Sequence, residues 1–117
     1  MGRRSDRSAD RRGAVVAPAQ ADIWWAEAQD KRRPVLIVTR TEAIPVLTWI
    51  MVAPVTRTVR GIPTEVALDG DDGLPSDCVA AFDNLQPIRK TFLTEYVGSI
   101  APRRAEICRA LGALADC

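Results

Sequence analysis

The sequence predicts a mainly β domain, a small and strongly bent antiparallel barrel with one α-helix at its C-terminus. Short apolar, β-rich stretches recur between turn-forming residues from about residue 23 to residue 100. Only the last stretch, residues 102–115, spaces its apolar side chains at helical intervals. The length of 117 residues allows one real core and is too short for two comfortable ones. Many short strands and one helix bury their apolar faces together when the sheet bends on itself.

Residues 1–20 are Arg, Ala, Ser and Asp without periodicity and read as a disordered basic tail, which leaves residues 21–117 as the folded domain. The first strand is expected over residues 23–28 (IWWAEA). Of the adjoining Trp24 and Trp25, one faces the core and the other does not. Gln29, Asp30 and Lys31 connect it to a second strand over residues 34–39 (PVLIVT), so the cations Lys31, Arg32 and Arg33 stand at that strand's entry. A third run, residues 47–55 (LTWIMVAPV), carries Pro54 near its end, where a strand must finish or bulge. Arg60-Gly61 supplies a turn, residues 64–68 (TEVAL) alternate in strand fashion, and residues 69–75 (DGDDGLP) are a loop by composition. Residues 78–82 and 85–88 are short strands around Asp83-Asn84. One helical turn over 90–95 precedes a last strand over 96–100. In the terminal helix Pro102 suits the first position, and Ile107, Leu111 and Leu114 recur at i, i+4 and i+7. Ala101, before it, is a poor cap because it offers no side-chain acceptor.

Composition narrows the chemistry. At 47% hydrophobic and 26% charged residues the chain falls in the range of ordinary globular proteins, and no apolar run approaches the roughly 18 residues that span a bilayer. Residues 14–17 are too few for a signal-peptide core, so a cytoplasmic protein is expected. Cys78, Cys108 and Cys117 are far apart and odd in number, which matches neither a disulfide framework nor a zinc site. There is no histidine, so any proton transfer must use other side chains. Residues 31–60 carry six cations and one acid, whereas residues 61–88 carry six acids and no cation. That division suggests two differently charged surfaces, one suited to phosphates.

Four stretches together, ADIWW, RRPVLIVTR, VAPVTRTVRGIPTEV with DGLPSDCV, and the helix after VGSIAP, resemble the MazF/PemK family of type II toxin–antitoxin toxins. The resemblance runs from about residue 21 to residue 114 and implies an SH3-like barrel with a C-terminal helix, a homodimer, and sequence-specific cleavage of single-stranded RNA without metal or other cofactor. It also implies a cognate MazE-like antitoxin whose acidic C-terminal segment lies in the RNA groove. Carried over by position, it makes Arg33 and Thr56 the catalytic pair and aligns Asp83 and Asn84 with polar groups along the RNA path. The chain departs from the family pattern in three places: Ala21-Asp22 replaces the usual Gly-Asp, the connection between the first two strands is short, and Ala101-Pro102 replaces Ser-Pro.

The residues themselves fit that chemistry. RNA is cut without metal when its own 2′-OH attacks the adjacent phosphorus, provided that charge on the crowded phosphorane is stabilised. A guanidinium fork meets two phosphate oxygens at once, which suits Arg33. Thr56 can bond the phosphate or orient the 2′-OH. Lys31, Arg32, Arg57 and Arg60 are candidate backbone contacts, since phosphate neutralisation governs affinity. Glu27 is the nearest carboxylate in sequence and the candidate general base. Two rivals stand beside this reading: a CcdB-like toxin of the same fold that binds gyrase, and a non-catalytic SH3-like module. The chain ends LADC, with no aromatic to insert into gyrase.

Overall fold

A computed structural model describes residues 17–28 and 31–115 of the chain. The expected tail lies outside the described residues as far as residue 16. Its last residues are part of the fold: the Ala19 N–H donates to the Asp22 carboxylate (2.9 Å), and the Gln20 side chain donates to the Val38 carbonyl (2.9 Å).

The described residues form seven antiparallel strands and one α-helix: β1 (Asp22–Ala28), β2 (Lys31–Ile37), β3 (Trp49–Thr56), β4 (Glu65–Leu68), β5 (Cys78–Ala81), β6 (Gln86–Arg89), β7 (Leu93–Ser99) and α1 (Arg104–Leu114). The sheet order is β4-β5-β3-β2-β1-β7, with β6 paired to the first half of β3. It is a mainly β, curled half-barrel with a C-terminal helix. Two register shifts in the β1–β7 pairing, after Ile23 and after Trp25, mark where that edge bends.

The middle strands β1, β2 and β3 are largely apolar on both faces because each contributes to a core on either side. Ile23, Leu36 and Ala53 join Val66, Ala80, Phe82 and the helix residues Ile107 and Ala110 in one core. Their neighbours Trp24, Val35, Ile37 and Val52 point the other way, into a second core with Ile44 and Ile50. The resulting runs are nearly continuous in apolar residues rather than alternating.

Three expectations shift. β2 begins at Lys31, so the three cations belong to the strand and alternate between its faces. Pro54 lies inside β3 instead of ending it. β6 covers β3 as far as Val52 and β5 takes over at Val55, so the proline falls at the hand-off, where no donor is needed on that side. The stripe of α1 is Ile107 and Ala110, while Leu114 is exposed. A 3-10 turn, Ala101–Arg103, leads into the helix, and Arg103 is its cap residue with no side-chain cap bond.

The edge strands β4 and β7 do not pair. The β4–β5 connection closes that gap by packing on β7: a Cβ at Gly98 would lie 2.6 Å from the Asp72 carbonyl oxygen, and one at Gly73 2.8 Å from that of Val97. Ala21, at the position where the resemblance has glycine, takes φ +74°. The left-handed region costs a residue with a side chain roughly 1–2 kcal/mol. It is held there because its N–H donates to Ile37 and its carbonyl accepts from Ile100, both at 2.9 Å.

Candidate active-site cleft

The β2–β3 ladder runs from Ile37↔Val52 to Val35↔Pro54. Two residues further along each strand stand Arg33 and Thr56, where the strands leave their pairing. Both line one cleft of about 470 Å³, together with Arg32 and Arg57 and with the apolar Trp25, Pro34 and Val55. Residues 74–76 of the closing β4–β5 connection and Cys78 at the start of β5 complete it. Arg33 also borders a smaller depression of about 240 Å³, which it shares with Lys31, Gln86 and Phe92.

The cations here differ in how far they are already satisfied. Among the described residues, Arg33, Arg57 and Lys31 form no ion pair. Arg32 is held on both sides: its Nε donates to Glu27 (3.0 Å) and its Nη2 to Glu95 (2.8 Å), while its guanidinium lies 4.1 Å from the centre of the Trp25 ring. Glu27 is not in the cleft lining, and its Oε2 accepts from both Arg32 and the Thr94 hydroxyl (3.0 Å). Thr56 Oγ1 accepts from the Thr58 N–H (3.1 Å), which leaves its own hydrogen free to donate.

Arg60, Asp83 and Asn84 do not line the cleft. Arg60 donates Nε to the buried Glu65 (2.7 Å) and grips Asp83 with Nη1 (3.0 Å) and Nη2 (2.7 Å). Burial alone would raise the Glu65 carboxyl. The Arg60 side chain and the N–H groups of Arg60 and Gly61 outweigh it and hold the carboxyl below its ordinary range. The Arg60 hydrogen bond likewise lowers Asp83. Both groups are therefore deprotonated in the fold at pH values where the unfolded chain already binds protons. Their contribution is complete above the ordinary carboxylate range, about pH 4, and is lost as pH falls through the lowered folded values. Thermal melts from pH 7 to pH 3 should show a shallower acid loss for Asp83→Asn than for the native sequence.

The structure also settles which tryptophan faces outward. Trp24 is buried, donates its ring N–H to Asp22 (3.3 Å) and meets Tyr96 edge-on at 5.9 Å, while the half-buried Trp25 lines the cleft. The cleft residues that sequence reasoning missed, Leu74, Pro75 and Ser76, lie in the DGLPSDCV stretch, where only their loop composition is legible. Cys78 borders the cleft but is buried. Burial pushes its thiol up, and Asp72, Asp77 and Asp69 push it further in the same direction. It is a protonated wall residue and a poor nucleophile. Alkylation with iodoacetamide near pH 8, read by peptide mass, should modify the exposed Cys108 well before Cys78.

Comparison with known proteins identifies the family. The family model of the PemK-like, MazF-like toxin of type II toxin–antitoxin systems matches residues 19–114. The chain is 38% identical over 106 residues to the probable endoribonuclease MazF5 of Mycobacterium tuberculosis, covering 88% of this chain and 97% of that one. Among solved structures it is similar to the M. tuberculosis toxin MazF-mt6, with a TM-score of 0.74 and 40% identity over 80% of this chain and 94% of that one. It is also similar to a mycobacterial endoribonuclease solved in complex with its cognate antitoxin, with a TM-score of 0.73 and 28% identity over 84% and 94% of the two chains.

Proposed function

This chain belongs to the PemK-like, MazF-like toxin family of type II toxin–antitoxin systems, and on that premise we propose that it is an endoribonuclease that cuts single-stranded RNA at a short sequence. The observation that supports this reading best is the juxtaposition of Arg33 and Thr56 at the end of one ladder, lining one cleft, with Arg33 free of any ion pair among the described residues.

In this reading the scissile phosphate lies in the cleft, with the Arg33 guanidinium on two of its oxygens. The 2′-oxygen attacks phosphorus, the bond to the 5′-oxygen breaks, and the products are a 2′,3′-cyclic phosphate and a 5′-hydroxyl. The 2′-OH proton passes to a base, and the leaving 5′-oxygen gains one. Charge that grows on the phosphorane meets the guanidinium and the Thr56 hydroxyl, donors in place before the reaction starts. Glu27 keeps the role of candidate base on β1, two residues from the Trp25 that lines the cleft. Arg57 and Lys31 attract the flanking backbone, Trp25 offers a stacking face for a base, and Arg32 holds that ring.

The decisive assay is incubation of the purified protein with a long RNA in EDTA. Discrete fragments ending in cyclic phosphate are expected. Binding without cutting would point to a non-catalytic module, and inhibition of gyrase without cutting to the CcdB-like rival.

The cleft also suits an inhibitor. Free cations beside Trp25, Pro34 and Val55 would take an acidic segment that carries a few large apolar residues. We assign that segment to the C-terminus of a small MazE-like antitoxin, with the toxin a cytoplasmic homodimer. Its domain, expected from residue 21, takes in the short approach from residue 19. Inhibition should be competitive with RNA and should weaken as salt rises. If RNA binds the preformed complex undiminished, the shared cleft is wrong.

A further inference from the structure

We propose that Arg60 is a positioning residue of the cleft: with Glu65 and Asp83 it pins the far end of the short loop that begins at Thr56, and so holds the Thr56 hydroxyl and Arg57 in place. The proposal rests on the ribonuclease reading above and adds to it a part that touches no substrate.

The first half of the loop between β3 and β4, from Thr56 to Arg60, is anchored at both ends. At its start, Thr56 is paired with Val79 in the β3–β5 ladder, and its hydroxyl oxygen accepts from the N–H of Thr58. At its end, the Glu65 carboxylate accepts from the Arg60 N–H (3.0 Å), the Arg60 Nε (2.7 Å) and the Gly61 N–H (3.0 Å). Asp83, which follows β5 and Phe82, takes both terminal nitrogens of the same guanidinium and the Thr64 hydroxyl (3.2 Å). Gly61 turns the chain with φ +69°, a conformation that side chains disfavour. Only Arg57, Thr58 and Val59 lie between the two anchors, and all three are exposed.

Three nitrogens of the Arg60 guanidinium are taken, and its single positive charge faces two carboxylates, so the cluster carries a net charge of −1. A group of that sign repels phosphate. Arg60 therefore differs from Arg33 and Arg57, which keep their charge for the cleft. The fork on Asp83 fixes direction as well as charge, which a lysine does not reproduce.

The experiment compares the native protein with Arg60→Ala, Arg60→Lys and Asp83→Asn, measuring kcat and KM for RNA cleavage, the salt dependence of RNA binding, and the rate of trypsin cleavage after Arg57. Asp83 is exposed, so Asp83→Asn serves if Arg60→Ala fails to fold. The expected result is a kcat lowered about 10-fold or more in all three variants, with KM and the salt dependence of binding little changed and faster trypsin cleavage after Arg57. Single-turnover cleavage at saturating RNA should show the same loss. A phosphate-contact role gives the opposite pattern: Arg60→Ala weakens binding and flattens its salt dependence, Arg60→Lys restores it, and Asp83→Asn tightens it. That pattern overturns the proposal, and so does native kcat in a folded Arg60→Ala or Asp83→Asn protein. A native protein that cuts no RNA overturns the ribonuclease reading itself, which is a separate outcome.

Discussion

Arg33→Ala should lower RNA cleavage on the order of 10²-fold or more, the largest effect expected of any single change in the cleft. The guanidinium stands where β2 leaves its pairing with β3, has no ion pair among the described residues, and borders both depressions of the site. Its charge is thus available to the phosphorane instead of being neutralised inside the protein. Arg33 is exposed, so its removal leaves both cores intact and the melting temperature should hardly move. Arg33→Lys should recover only part of the loss, because an ammonium does not span two oxygens. Thr56→Ala should also cut kcat strongly, since it deletes a hydroxyl that lines the same cleft as Arg33 and has its hydrogen free to donate. Steady-state cleavage of a fluorogenic RNA, with circular dichroism as the check on folding, measures both. Full activity in a folded Arg33→Ala protein would refute the assignment, and growth arrest on expression should disappear along with cleavage.

Gly98→Ala should produce the largest loss of stability from a one-carbon change. The added Cβ would lie 2.6 Å from the backbone oxygen of Asp72, closer than such atoms approach, and the obstacle is main chain, which has no rotamer to yield. The β4–β5 connection must lift from β7, which opens the packing that closes the gap between these two edge strands. Overpacking of this kind costs about 1–3 kcal/mol. In a domain of this size that corresponds to a fall in Tm on the order of 10 °C. Cleavage should fall as well, because residues 74–76 of the same connection line the cleft. Gly112→Ala is the control. Gly112 lies in α1 with nothing within 4 Å of where the added methyl group would stand, and alanine there should stabilise the helix by about 0.5–1 kcal/mol. Equal melting temperatures for Gly98→Ala and the native protein would show that the seam is looser than its geometry indicates.

The two charge blocks of the sequence do not become two surfaces. Arg60, from the basic block, bonds Glu65 and Asp83 from the acidic one, and the β3–β5 ladder lays Thr56 beside Val79. The acidic connection of residues 69–77 thereby comes to border a cleft whose free cations are Arg33 and Arg57. Separation along the chain is not separation in space when antiparallel strands fold back on each other. Resemblance puts Asp83 among the polar groups on the RNA path, yet its position serves the guanidinium 23 residues earlier.

Much is nevertheless determined by the sequence alone. The order of strands and terminal helix follows from apolar runs punctuated by Gly, Pro and Asp, a signal that acts over a few residues and survives in any tertiary context. The lack of histidine restricts the chemistry, and RRPVLIV with APVTRTVRGIPTEV picks out Arg33 and Thr56 by resemblance. What only the tertiary structure decides is which of these groups are free. Trp24 or Trp25, Arg32 or Arg33, Arg57 or Arg60: the members of each pair lie within three residues of each other in the sequence. They are told apart by strand register and by carboxylates as far away as Glu95, 63 residues from Arg32. A side chain's residual charge and exposure are set by the neighbours that folding brings to it, and periodicity along the chain carries no information about them.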